Sequence, residues 1–151
     1  MPLEGAVQER LVREALRVLR PGGRVFAHTL VGDRALSRPG LPGPAASVEF
    51  VPPESDPMRL LELAGFQGLR LMKFDAKPCF QREGVAMREQ QLEGFKPVAG
   101  EHRVAVVYKG PFRQVTGDDG TVFVRGERVH VDAAAAERLC GDSAGQFVVL
   151  E

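Results

Sequence analysis

The stretch Leu16-Arg17-Val18-Leu19-Arg20-Pro21-Gly22-Gly23-Arg24-Val25-Phe26 constrains this chain more than any other. Upstream of it, Val7, Leu11, Ala15, Val18 and Leu19 recur at three- and four-residue spacing, with Arg10, Arg13, Glu14 and Arg17 on the other side. That spacing predicts an amphipathic helix over 6–19. Pro21 cannot continue the helix, and Gly22 and Gly23 supply the positive φ that a tight reversal needs. Val25 to Val31 is then nearly continuous apolar, the pattern of a strand covered on both faces. Helix, tight turn and buried strand together predict the closing step of a parallel α/β unit.

The grammar then changes. Between Gly32 and Pro57 stand Pro39, Pro42, Pro44, Pro52 and Pro53 with Gly40 and Gly43. Such a density of fixed φ angles and missing donors predicts a long loop. A lid over a pocket and a plain connector both fit it, and it follows the strand end where open α/β sheets place ligands. Asp56 as N-cap, Pro57 at the first helical position, the stripe Met58, Leu61 and Ala64, and Gly65 as a stop predict a short helix over 57–64. Alternation from Leu69 to Phe74 predicts a strand over 68–75. Val85 to Lys96 fits a solvent-facing edge strand or a helix, and we read it as a strand.

From Gly94 to Gly100 the pattern shifts to short strands with Gly-bearing turns, so two domains are expected, 1–97 and 98–151. The second contains a strand from Val104 to Tyr108, a hairpin turn at Asp118-Asp119-Gly120, and strands at Val122–Val124 and Val129–Val131. A short helix capped by Asp132 and a final strand at Phe147–Leu150 complete it. An appendage of this size is marginal alone and is expected to dock on the first unit.

Twenty basic and twenty acidic residues cancel, so no general field draws nucleic acid or an anionic membrane to this chain. Cys79 and Cys140 cannot build a disulfide framework, and no long apolar run suggests secretion or membrane insertion. A cytoplasmic protein with no nucleic-acid and no membrane partner is the expectation.

The wording RVLRPGGRV, Arg17 to Val25, resembles the helix-to-fifth-strand junction of class I S-adenosylmethionine-dependent methyltransferases. The elements that follow, MRLLELAGF, GLRLMKF and a strand ending in FKP, are similar in order to the C-terminal third of that family. The tail VVYKGPFRQVTGDDGTVFVRGERVHVDAAAAERL is similar to the extra C-terminal domain of its arsenite-methyltransferase-like branch. The resemblance implies an α/β fold: 1–97 as the C-terminal part of a Rossmann-like methyltransferase sheet (late helix, strands five to seven), and 98–151 as a small β-rich domain. It also implies S-adenosylmethionine as cofactor of the full-length relative and a small-molecule methyl acceptor as its partner. That family holds its cofactor through a Gly-rich turn after the first strand, and this chain contains no such turn. The expectation is therefore an acceptor-side segment that is inactive and binds no cofactor by itself, with a noncatalytic binding or oligomerisation module of the same ancestry as the alternative.

The resemblance places His28 and Thr29 at the acceptor end of the strand and makes them substrate-binding candidates. Methyl transfer needs a nucleophile held in line with the sulfonium in a dry pocket. His28 can serve as a base there or be a structural imidazole satisfied by a hydrogen bond. Thr29 stands where many relatives carry an acid, and plain sheet packing is its other role. Cys79, beside Lys77, is the third candidate; Val85 occupies the place of a metalloid-binding cysteine, and one thiolate cannot grip arsenite as several do. A small organic acceptor fits at least as well.

No catalytic, cofactor-binding or metal-binding residue is expected. Asp118 and Asp119 read as a turn, and His102 and His130 lack a Cys or His at ligand spacing. Tyr108 reads as a packing anchor. A fifth strand without its usual neighbour leaves a hydrophobic edge open. Self-association through that edge, cover by the N-terminal segment, or poor solubility is the expected consequence.

Overall fold

A computed structural model of the protein describes residues 3–100, 102–142 and 145–151. The chain runs α1 (Leu3–Val18), β1 (Arg24–Gly32), β2 (Leu36–Ser37), β3 (Phe50–Val51), α2 (Asp56–Ala64), β4 (Gln67–Phe74), β5 (Phe80–Arg82) and β6 (Val85–Phe95). It continues through β7 (Arg103–Tyr108), β8 (Gln114–Thr116), β9 (Val122–Val124), β10 (Arg128–Asp132), α3 (Ala133–Asp142) and β11 (Phe147–Leu150). The reversal after α1 forms as its residues require. Gly22 adopts φ +73, and the turn is tied to the far end of β6 by Gly22 N–H to Lys96 O at 3.0 Å and Lys96 N–H to Gly23 O at 2.8 Å.

The first sheet has the order β1-β6-β4, with β5 paired to the start of β6, and every one of these ladders is antiparallel. This overturns the expected Rossmann-like parallel sheet. β1 is not an inner strand: it lies at the end of the sheet, and its ladder neighbour is the antiparallel β6, with Ala27 opposite Leu92. The continuous apolar run misled because alternate residues go to different environments. Val25 and Ala27 turn to the core, whereas Arg24, Phe26 and His28 face solvent. β6, whose sequence fitted two kinds of element, is the strand around which three others assemble.

Three apolar clusters hold the molecule together. Beneath the first sheet, α1 and α2 bring Val12, Ala15, Leu16, Leu19 and Leu61 onto Phe66, Leu92, Val25 and Leu69. α2 begins one residue before the sequence suggests, with Ser55 rather than Asp56 at the N-cap, and ends at left-handed Gly65, φ +101. At the far end of the sheet the proline-rich segment is not structureless. It forms the β2–β3 pair and a 3₁₀ turn at Gly43–Ser47, and buries Leu41 and Val51 against Val85 and Met87. Buried Gln90 ties its end down, donating from Nε2 to Glu54 O at 2.9 Å.

The third cluster belongs to the second unit, where β7 is flanked by β10 and β11 and α3 covers Val106, Tyr108, Val131 and Phe147. Asp132 caps α3 through Oδ1, which accepts from Ala135 N–H at 2.8 Å. Tyr108 is fully buried against Phe147, ring centroids 5.1 Å apart, and its hydroxyl accepts from Phe112 N–H. The units meet where Asp118 Oδ2 accepts from Leu69 N–H at 2.8 Å and the Arg138 guanidinium sits 5.8 Å from the Phe95 ring centroid.

Candidate interaction edge and outer sheet face

The ladder between β1 and β6 is regular from Arg24↔Phe95 to Gly32↔Met87. Just outside it, Asp33 N–H donates to Ala86 O and Lys96 N–H donates to Gly23 O. Antiparallel partners alternate between hydrogen-bonded and non-hydrogen-bonded pairs. The odd-numbered residues of β1 therefore bond to β6, and the even-numbered ones aim their N–H and C=O groups away from it. At Gly32 those outward groups are used: its N–H donates to Pro52 O, and its C=O accepts from Glu54 N–H, each at 2.9 Å. At Arg24, Phe26 and His28 no main-chain partner lies across the edge among the described residues.

The helix that leads into this edge carries an exposed apolar flank. At 100° per residue, Val7, Leu11 and Val18 align in one stripe of α1, and they are 53%, 68% and 63% exposed. The stripe is turned about 90° or more from the direction of Leu19, Val12 and Leu16, which pack inward. Leu16 lies toward Gly65 at the end of α2, so the stripe is on the flank of α1 away from α2.

The outer face of the sheet is charged and paired. The Glu93 side chain is 3% exposed; the Nε and Nη2 donors of Arg70 converge on its Oε1, and Arg24 Nη1 lies 3.5 Å from its Oε2. Farther along, Lys73 binds Glu89 and lies 3.5 Å from Asp75, with His28 Nε2 3.8 Å from Glu89. The hydrogen bond from Lys73 holds the Glu89 carboxyl below its ordinary value and lifts the Lys73 ammonium above its own. Between this face and the second unit lies an open cleft of about 280 Å³, bordered by Arg70, Asp118, Phe123 and Arg138.

The three sequence candidates do not converge. His28 is on the outer face, half exposed and next to Glu89, rather than buried. Thr29 points to the opposite face and its hydroxyl reaches Leu30 O at 3.4 Å. Cys79 lies on the turn before β5, exposed, with its N–H and thiol both on Met87 O. Met87 is four positions along β6 from Gln91, the partner of His28, roughly 13 Å of strand. Among the described residues no group of three or more His, Cys, Asp or Glu is arranged to hold a metal ion. Sequence reasoning passed over Phe26, Glu93 and Arg70. The one signal for Phe26 was an aromatic in phase with Arg24 and His28, the polar positions of β1.

Residues 96–150 match a family model described as Domain of unknown function (DUF8838), a span that takes in the whole second unit. No curated protein matches the chain. No described helix is long and apolar enough to cross a membrane.

Proposed function

We propose that this chain is a noncatalytic interaction module that takes up an extended strand along the free edge of β1. The row of outward main-chain groups at Arg24, Phe26 and His28 carries the proposal. An unpaired, regular edge is a template for another strand. Edges that must stay free are usually interrupted by proline, lysine or a bulge. Here the register is unbroken, the central side chain is an exposed phenylalanine, and α1 carries a second exposed apolar surface.

A second reading keeps the resemblance of Arg17 to Val25, in which the chain supplies acceptor-side surface to an S-adenosylmethionine-dependent methyltransferase acting on a small-molecule acceptor. The residues present do not fit the cofactor. Among the described residues the junctions from a strand into an α-helix are β3 to α2, through Pro52-Pro53-Glu54-Ser55, and β10 directly into α3, and neither offers glycines for a nucleotide to approach.

Residue-resolved hydrogen exchange tests the proposal. A synthetic peptide of sequence 24–32, or a rise in protein concentration, is expected to slow the amides of Phe26 and His28 while those of Ala27 and Thr29 stay slow throughout. Exchange at Phe26 and His28 that remains fast at every peptide and protein concentration overturns it. Calorimetry with S-adenosylmethionine is expected to be flat, and a micromolar titration would restore the enzyme reading.

A further inference from the structure

The free edge has two closed ends, and they select an occupant. At one end the chain folds away through the Gly22-Gly23 turn, whose main chain is bonded to Lys96. At the other, Gly32 is bonded to Pro52 and Glu54, and Leu30 is packed into the cluster with Val51 and Leu41. The open window is Arg24 to His28, and Phe26 is its midpoint.

We propose that the strand taken up there is β1 of a second copy, antiparallel, about a two-fold axis at Phe26. This rests on the strand-pairing function above. The window reads the same in both directions: Phe26 meets its own counterpart, and Arg24 meets His28 of the other copy. Each is a hydrogen-bonded pair that exchanges two main-chain bonds. Moving the centre to His28 sets Arg24 against Gly32, whose groups are already used. Moving it to Ala27 sets Arg24 against Leu30, under the packed segment.

The side chains agree with this register. Phe26, 53% exposed, stacks on its counterpart, a cross-strand aromatic pair. Arg24 arrives beside a histidine that has Glu89 3.8 Å away, so the cation meets an acid. The chain has no net charge, and two copies approach without long-range repulsion.

Strand edges alone fall short of the roughly 800 Å² a side that a stable dimer buries. The exposed stripe Val7, Leu11 and Val18 adds apolar surface to the contact. A two-fold axis normal to the sheet keeps both α1 helices on the same face, and each offers that flank toward the other. Glu14, on the same flank, is neutralised by Arg17 at 2.6 Å.

Sedimentation velocity on the whole chain from about 1 to 100 µM is expected to show a monomer–dimer equilibrium. His28→Pro removes an outward N–H and none of the β6 ladder, and Leu11→Glu charges the stripe. Each is expected to weaken the dimer about tenfold or more with circular dichroism unchanged. With Cys79→Ser and Cys140→Ser, Phe26→Cys is expected to crosslink two copies on mild oxidation, since paired Cα atoms about 5.5 Å apart suit a disulfide. Val122→Cys, exposed on the second unit, is expected not to. A chain that stays monomeric at about 100 µM overturns the second copy, and slowing of Phe26 and His28 by the 24–32 peptide would then leave the strand-pairing function standing. A dimer that ignores Leu11→Glu, or in which Phe26→Cys does not crosslink, overturns this register.

Discussion

Glu93 illustrates how a single residue ties two strands together on the outer face. It is almost fully buried, and its oxygens are shared between Arg70 and Arg24. A carboxylate taken out of water this far persists only with such partners. Glu93→Ala is expected to cost about 1–2 kcal/mol in urea unfolding, through the lost charge-assisted hydrogen bonds from Arg70, whose partly exposed guanidinium regains water. Arg24→Ala is expected to cost less than about 1 kcal/mol, since that side chain is largely solvated. At Glu89 the consequence is a pH dependence. Its carboxyl is held below the ordinary 4.5 first by the hydrogen bond from Lys73 and then by that residue's charge. A lowered folded value means stability present above the unfolded pKa and lost as pH falls through the folded one. Glu89→Gln is therefore expected to flatten the acid limb of the stability curve below about pH 4.5, measured by thermal melts from pH 3 to 6. Neither role was legible beforehand: alternation marks Glu89 and Glu93 as polar strand residues, but their partners on β4 come from about twenty positions away.

At the scale of elements, β6 decides the fold. Its register against β1 and β4 places Leu92 in the core and Gly94 where Leu69 crosses. A Cβ on Gly94 would stand 2.6 Å from Leu69 Cδ2 and 3.4 Å from Phe66 Cβ. Gly94→Ala is expected to destabilise by about 1–3 kcal/mol through overpacking, and Leu92→Ala by about 2–5 kcal/mol through the cavity it leaves; urea midpoints separate both from wild type. The helices and the Pro21-Gly22-Gly23 reversal are legible from local grammar because a missing donor or a positive φ acts within a turn. The pairing of β6 is not, since Glu89-Gln90-Gln91 satisfies a helix face and a strand face alike. For the same reason the prolines between Gly32 and Pro57 read as a loop, although Leu41 and Val51 seal one end of the sheet.

Across the whole molecule, the two units are joined at Asp118 and at Arg138. Asp118, which local pattern marks only as a turn residue, also reaches across to Leu69 N–H. Asp118→Ala is expected to speed exchange of the Leu69 amide and to cost about 1 kcal/mol, with the secondary structure of both units retained. Exchange at Leu69 unchanged from wild type would show that the junction is held by Arg138 and Phe95 instead. What the sequence alone determined is where the chain turns, caps and alternates, because those preferences are set by φ, missing donors and neighbours a few residues away. Only the tertiary structure decided that β1 is an edge with one wet face and an open row of main-chain groups. That outcome depends on β6, more than fifty residues downstream, taking one side of β1 while Pro52 and Glu54 occupy only the last position of the other.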